Sequence, residues 1–134
     1  MGQYHRMRTT LNKDRPKYLN LFRIRLPITG VLSIAHRLSG VLLVMAIPFF
    51  IYLLSLSLRS AQGFADVQTL LNLPAIKWVL VVVFWALMHH FLAGIRFLLL
   101  DIDIGYHRTQ ARQSAWMVFI GEMFAVLLLI GWLL

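Results

Sequence analysis

Residues 78–100 read WVLVVVFWALMHHFLAGIRFLLL. About 20 consecutive apolar residues suffice to cross a bilayer as a helix, and this run holds only His89, His90 and Arg96 as ionisable groups. Its apolar positions do not alternate with polar ones, which excludes a membrane-barrel strand. Hydrocarbon offers no water to unpaired N–H and C=O groups, so a spanning segment of this kind must be helical. Two further runs share this character, Leu38 to Leu58 and Trp116 to Leu134. Extended through their flanks, the three spans are expected at about 28–58, 76–100 and 113–134. The fold class is therefore an all-α membrane protein of three transmembrane helices.

The composition agrees. Of the 134 residues, 60% are hydrophobic and 13% charged. There is no cysteine, so neither a disulfide framework nor a thiolate metal site can form. The net charge of +8 suggests nucleic acid, but its placement argues for topology instead. Arg6, Arg8, Lys13, Arg15, Lys17, Arg23 and Arg25 all precede the first span. Positive residues stay on the cytoplasmic side, so the N-terminus reads as inside, the first connection outside and the second inside. Residues 1–25 form a basic cytoplasmic arm, and the whole of 1–134 reads as one membrane-anchor domain. No apolar core precedes the first span, so the arm is not a cleaved secretory signal. A bacterial inner membrane is expected, with a mitochondrial inner membrane as the alternative.

Within this frame, proline marks boundaries and bends. Pro27 suits the first turn of the first span, Pro48 is expected to kink it, and Pro74 restarts the chain before the second. FADVQTLLNL, residues 64–73, reads as a short interfacial helix. Three such helices bury little against one another, and their polar groups show no evident partner inside the chain. Both features point to a subunit of something larger.

An ionisable residue inside a span is a functional hypothesis by default. His90 lies eleven positions before Asp101, roughly 16 Å deep at about 1.5 Å per residue, close to the midplane. It either bonds a neighbouring helix or holds a metal, for which haem iron with an axial imidazole is the leading choice. Gly94, four residues on, shares its face. It either packs helices or lets a flat macrocycle approach. Arg96 either snorkels to the interface or meets haem propionates from the cytoplasmic side, as Arg37 would. His89 points about 100° away from His90 and lacks the four-residue relation to Gly94. Glu122, well inside the third span, reads as a hydrogen-bonded structural acid or part of a proton pathway. Ser33, His36, Arg37 and Gly40 recur at three- and four-residue spacing on one helix face. That face is either an interfacial anchor cluster or a site for carboxylates or quinone carbonyl oxygens, since Ser and Arg donate hydrogen bonds and Arg offsets developing negative charge.

Two stretches carry a family resemblance. RPKYLNLFRIRLPITGVLSIAHRLS contains Arg15, Pro16, Ser33, His36, Arg37 and Ser39; HFLAGIRFLLLD contains His90, Gly94, Arg96, Phe97 and Asp101. In order and spacing they resemble the signatures of the succinate dehydrogenase cytochrome b (b556-type) subunit family, the larger haem-bearing anchors of respiratory complex II. Lys17 departs from the apolar residue usual after Arg-Pro, Leu100 from an aromatic or Met, and Asp103 from a small residue. The motifs cover most of residues 15–103.

The resemblance implies a membrane anchor without dehydrogenase activity of its own. The partners would be a second small anchor completing the helix bundle, an iron–sulfur subunit and a flavoprotein, besides quinone and membrane lipid, with no nucleic acid. Haem b would be shared with the second anchor. His90 matches the axial ligand, His36 and Arg37 match positions that meet haem propionates, and Ser33 and Arg37 match quinone-site residues. Fumarate reduction would use the same architecture in reverse. A non-redox adaptor would carry no haem. A small transporter would rest on Glu122 and the histidines, but the chain lacks internal repeats.

Overall fold

The computed structural model describes residues 26–133. The basic arm, including Arg15 and Pro16 of the first motif, lies outside the described residues. Among those residues there are four helices and no strand: α1 (Ile28–Arg59), α2 (Ala61–Leu71), α3 (Pro74–Asp101) and α4 (Arg108–Leu133). The helices α1, α3 and α4 are long and apolar enough to cross a membrane. The chain is thus a multi-pass, all-α membrane protein, as the apolar runs predict.

Local chemistry sets the boundaries. Pro27 is the N-cap of α1 in extended conformation, where its missing N–H costs nothing. The helix passes through Pro48 without interruption. It stops at Ser60, which is extended and whose hydroxyl accepts from the backbone N–H of Gly63 at 3.0 Å. One serine therefore ends α1 and caps α2. The short helix begins three residues before the expected segment and folds back onto the end of α1. There Gly63 comes so close that a Cβ would collide with the Leu56 carbonyl oxygen. Pro74 opens α3 at its first turn. Asp103 and Gly105, both with positive φ, reverse the chain into α4. Aspartate tolerates that region better than most side chains.

The fourth helix starts at Arg108, five residues before the expected 113. Its first two turns, Arg108–Ser114, are polar and carry no apolar period, yet most of these residues favour helix. At the far end of the bundle, Lys77 Nζ donates to the Leu133 carbonyl at 2.9 Å, satisfying a C-terminal acceptor that α4 itself leaves open.

The core is thin. Leu32, Ala93, Ala115 and Val118 pack together where α1, α3 and α4 meet. Most of the apolar side chains of α1, including Val41, Val44, Met45 and Ile51, remain exposed. In water such a surface would aggregate; in a bilayer, lipid or another helix covers it. The buried polar groups are Ser39, His89, Arg96 and Glu122, and their bonds decide how the helices face one another.

Candidate functional site

Helices α1 and α3 run antiparallel, and each carries a histidine four residues before a glycine. The two pairs interlock. A Cβ at Gly40 would lie 3.1 Å from His90 Cε1, and one at Gly94 would lie 3.6 Å from His36 Nε2. Each glycine therefore receives the imidazole of the opposite helix. The rings stack nearly parallel, with centroids 4.1 Å apart and planes 11° off. Phe97 closes one side, edge-on to His36 at 5.1 Å.

The hydrogen bonds fix one tautomer. His90 Nδ1 lies 3.2 Å from the His36 carbonyl oxygen, which can only accept, so Nδ1–H donates. The buried Ser39 hydroxyl also donates to that carbonyl, at 2.8 Å, and lies 3.3 Å from His90 Nδ1. The proton on Nδ1 leaves the lone pair on Nε2. Metal-binding histidines are commonly held this way, with the second ring nitrogen donating to a backbone carbonyl. On α1, one turn toward the Ile28 end, Arg37 Nη2 donates to Ser33 Oγ at 3.2 Å. Ser33 keeps its own hydroxyl proton to donate elsewhere.

A largely apolar cleft of about 640 Å³ opens on this side of the bundle, lined by His36, Arg37, Gly40, Val44, Met45 and His90 among others. A flat apolar cofactor with an axial imidazole and two carboxylates suits this chemistry: a nitrogen with a free lone pair, apolar walls and one guanidinium. His36 adds a buried Nε2 with no hydrogen-bond partner among the described residues, an atom that an acceptor from outside this chain would satisfy.

Of the residues singled out in the sequence, Ser33, His36, Arg37, Gly40, His90 and Gly94 come together. Arg96 does not join them. Its Nε donates to Ser114 Oγ at 2.9 Å and its Nη2 to the Ala111 carbonyl at 3.0 Å. It is buried against α4, since six positions from His90 turn it about 240° around α3. Height along the helix suggests a propionate partner, whereas the azimuth makes Arg96 a clamp between two helices. His89 also faces α4, and its Nδ1–H donates to Glu122 Oε2. The expectation that intramembrane polar groups find no partner inside the chain is thus corrected for this pair. The signal was present: His89 lies twelve residues from the end of α3 and Glu122 fourteen from the start of α4, so antiparallel neighbours bring them to similar depth. Asp101 and Asp103 are exposed and form no ion pair among the described residues.

Comparison with known proteins points to one family. Residues 11–129 match the family described as succinate dehydrogenase/fumarate reductase transmembrane subunit. A succinate dehydrogenase cytochrome b556 subunit of Coxiella burnetii is 34% identical over 124 residues, covering 92% of this chain and 99% of that protein. The similarly named protein of Paracoccus denitrificans is 32% identical over 118 residues, 87% of this chain and 91% of its own. That of Rickettsia felis is 31% identical over 115 residues, with 86% and 90% covered.

Proposed function

The chain belongs to the succinate dehydrogenase/fumarate reductase transmembrane subunit family, and from that premise we propose that it is the haem-b-binding membrane anchor of a succinate:quinone oxidoreductase. The observation that carries the reading is His90, held by the His36 carbonyl in the tautomer that frees Nε2, lining the same apolar cleft as Arg37. His90 would hold the haem iron, and His36 and Arg37 would hold the propionates. When bound, haem b supplies a one-electron carrier within the membrane. A second anchor subunit would cover the open side of the cleft and the exposed face of α1, and would hold the haem from the other side. The iron–sulfur and flavoprotein subunits dock at the end of the bundle that holds Ile28, Asp101 and Arg108. That end is cytoplasmic, in a bacterial inner membrane, with the arm of residues 1–25 on the same side. The chain forms one anchor domain and catalyses nothing alone.

Ser33 and Arg37 form the quinone-facing part of the site. The bond from Arg37 to Ser33 holds both donors on one helix face one turn apart. A quinone oxygen gains negative charge as it is reduced, and preorganised donors there stabilise the charge without first having to turn. Ser33 supplies the hydroxyl donor, Arg37 the charge.

The test is purification of the full chain in mild detergent. A b-type haem and co-purifying flavin and iron–sulfur subunits are expected. In that preparation Ser33→Ala and Arg37→Leu should lower succinate-dependent quinone reduction about tenfold, as the loss of a charge-assisted hydrogen bond does. Succinate oxidation by an artificial acceptor at the flavin should stay unchanged. Wild-type quinone kinetics in both variants, or a complex without haem, would overturn the reading.

A further inference from the structure

His89 is adjacent to His90 and points to the opposite side of α3. Its side chain is fully buried, its Nδ1–H donates to Glu122 Oε2, and Glu122 is itself only 5% exposed. The His89 ring lies between Trp85 and Phe119, with centroids 5.8 and 5.6 Å away. Seven residues further along α3, Arg96 grips Ser114 and the Ala111 carbonyl of α4. The seam between α3 and α4 thus holds two polar clamps about 10 Å apart along the axis. Ala86 and Ala93 flank His89 on the same face at spacings of three and four, and all three are buried.

Apolar packing does little to orient such a helix. Alanines allow close approach without marking a rotation, and lipid tails are as apolar as the side chains they replace, so turning α3 in the bilayer has little hydrophobic cost. A buried hydrogen bond between two ionisable side chains behaves differently. Rotating α3 breaks it and leaves both groups unpaired in an apolar surround, which is strongly unfavourable. We propose that the His89–Glu122 pair, together with the Arg96 clamp, sets the rotation of α3 and so aims His90 at α1 and the haem cleft. Glu122 is a positioning residue. It touches neither cofactor nor quinone and acts through the one-residue offset between His89 and His90. Neighbouring histidines lie about 100° apart on a helix, so an anchor on one side fixes a ligand on the other. The proposal rests on His90 as the haem ligand.

The experiment compares wild type with Glu122→Gln, Glu122→Leu and the double variant His89→Leu/Glu122→Leu, each as the full chain purified with its partner subunits. The readouts are haem per chain recovered and the low-spin ferric EPR g-values, neither of which depends on turnover or expression level. Glutamine retains an oxygen acceptor for His89 and should preserve both. Leucine at 122 should weaken haem retention about tenfold, the fold-change that losing one buried hydrogen bond amounts to, and shift the g-values. The double variant leaves no orphaned polar group, so it assembles even where Glu122→Leu does not, and it should still show the shifted g-values. A double variant with wild-type haem content and g-values would overturn the positioning role, because the pair would then serve packing alone. A wild-type complex without haem would overturn the ligand reading itself.

Discussion

Gly40→Ala should disturb haem binding more than it disturbs folding. The new methyl would sit 3.1 Å from His90 Cε1 and 3.4 Å from Nδ1. Carbon atoms in ordinary contact lie about 3.5–4.0 Å apart, so the ring must retreat by roughly 0.5 Å. The bond from Nδ1 to the His36 carbonyl is 3.2 Å long, already at the long end of the N–H···O range, and the retreat carries it to about 3.7 Å, beyond a hydrogen bond. Its loss costs about 1 kcal/mol, and overpacking adds about 1 kcal/mol more. Replacing glycine in a helix interior returns about 1 kcal/mol. The net destabilisation is about 1 kcal/mol, so thermal unfolding should move by only a few degrees. The tautomer of His90 is no longer held, however, and haem retention should fall about tenfold. Gly94→Ala is the control, because its methyl meets His36 Nε2 at 3.6 Å, an ordinary contact, and should be the milder change. Haem per chain by pyridine haemochromogen, beside a thermal melt of the same samples, separates the two effects. Full haem content in Gly40→Ala, or a larger loss in Gly94→Ala, would refute the reasoning. The second result would make Gly94 the point of closest approach to the macrocycle.

Other positions test the clamps and caps. Arg96→Lys keeps the charge but loses the two-pronged grip on Ser114 and Ala111, and should lower thermal stability by about 1 kcal/mol; Arg96→Leu should lower it further. A loss of haem with no change in melting would instead place Arg96 at the cofactor. Ser60→Ala removes the hydroxyl that accepts from Gly63 and should cost about 1 kcal/mol, visible as faster amide exchange confined to residues 61–71. Gly63→Ala should be worse, because the added methyl collides with the Leu56 carbonyl, which is backbone and cannot swing aside.

The spans were legible in the sequence because a bilayer demands long apolar runs, and nothing else in this chain produces them. Their ends were less so. The start of α4 is written in polar residues, and a hydropathy reading begins only where Trp116 does. The cluster around His36 and His90 was set out by motif spacing, and one further sign lay in plain view. His36–Gly40 and His90–Gly94 repeat the same interval on antiparallel helices, which is what lets the rings stack. Arg96 shows the opposite limit. Depth along α3 is read directly from residue number, but direction depends on 100° steps, and those steps carry Arg96 to α4 instead of the cleft. The His89–Glu122 bond joins residues 33 positions apart. Only the packing of α3 on α4 brings them together, although their matching depth hinted at it.

The most direct test of the account is the dithionite-reduced minus oxidised spectrum of the purified wild-type complex beside that of His90→Ala. The account predicts a b-type haem signal in the wild type that disappears, or converts to high spin, in the variant. An unchanged low-spin signal in His90→Ala would contradict it, moving the ligand to His89 or to another chain and removing the role assigned to the stacked imidazoles of α1 and α3.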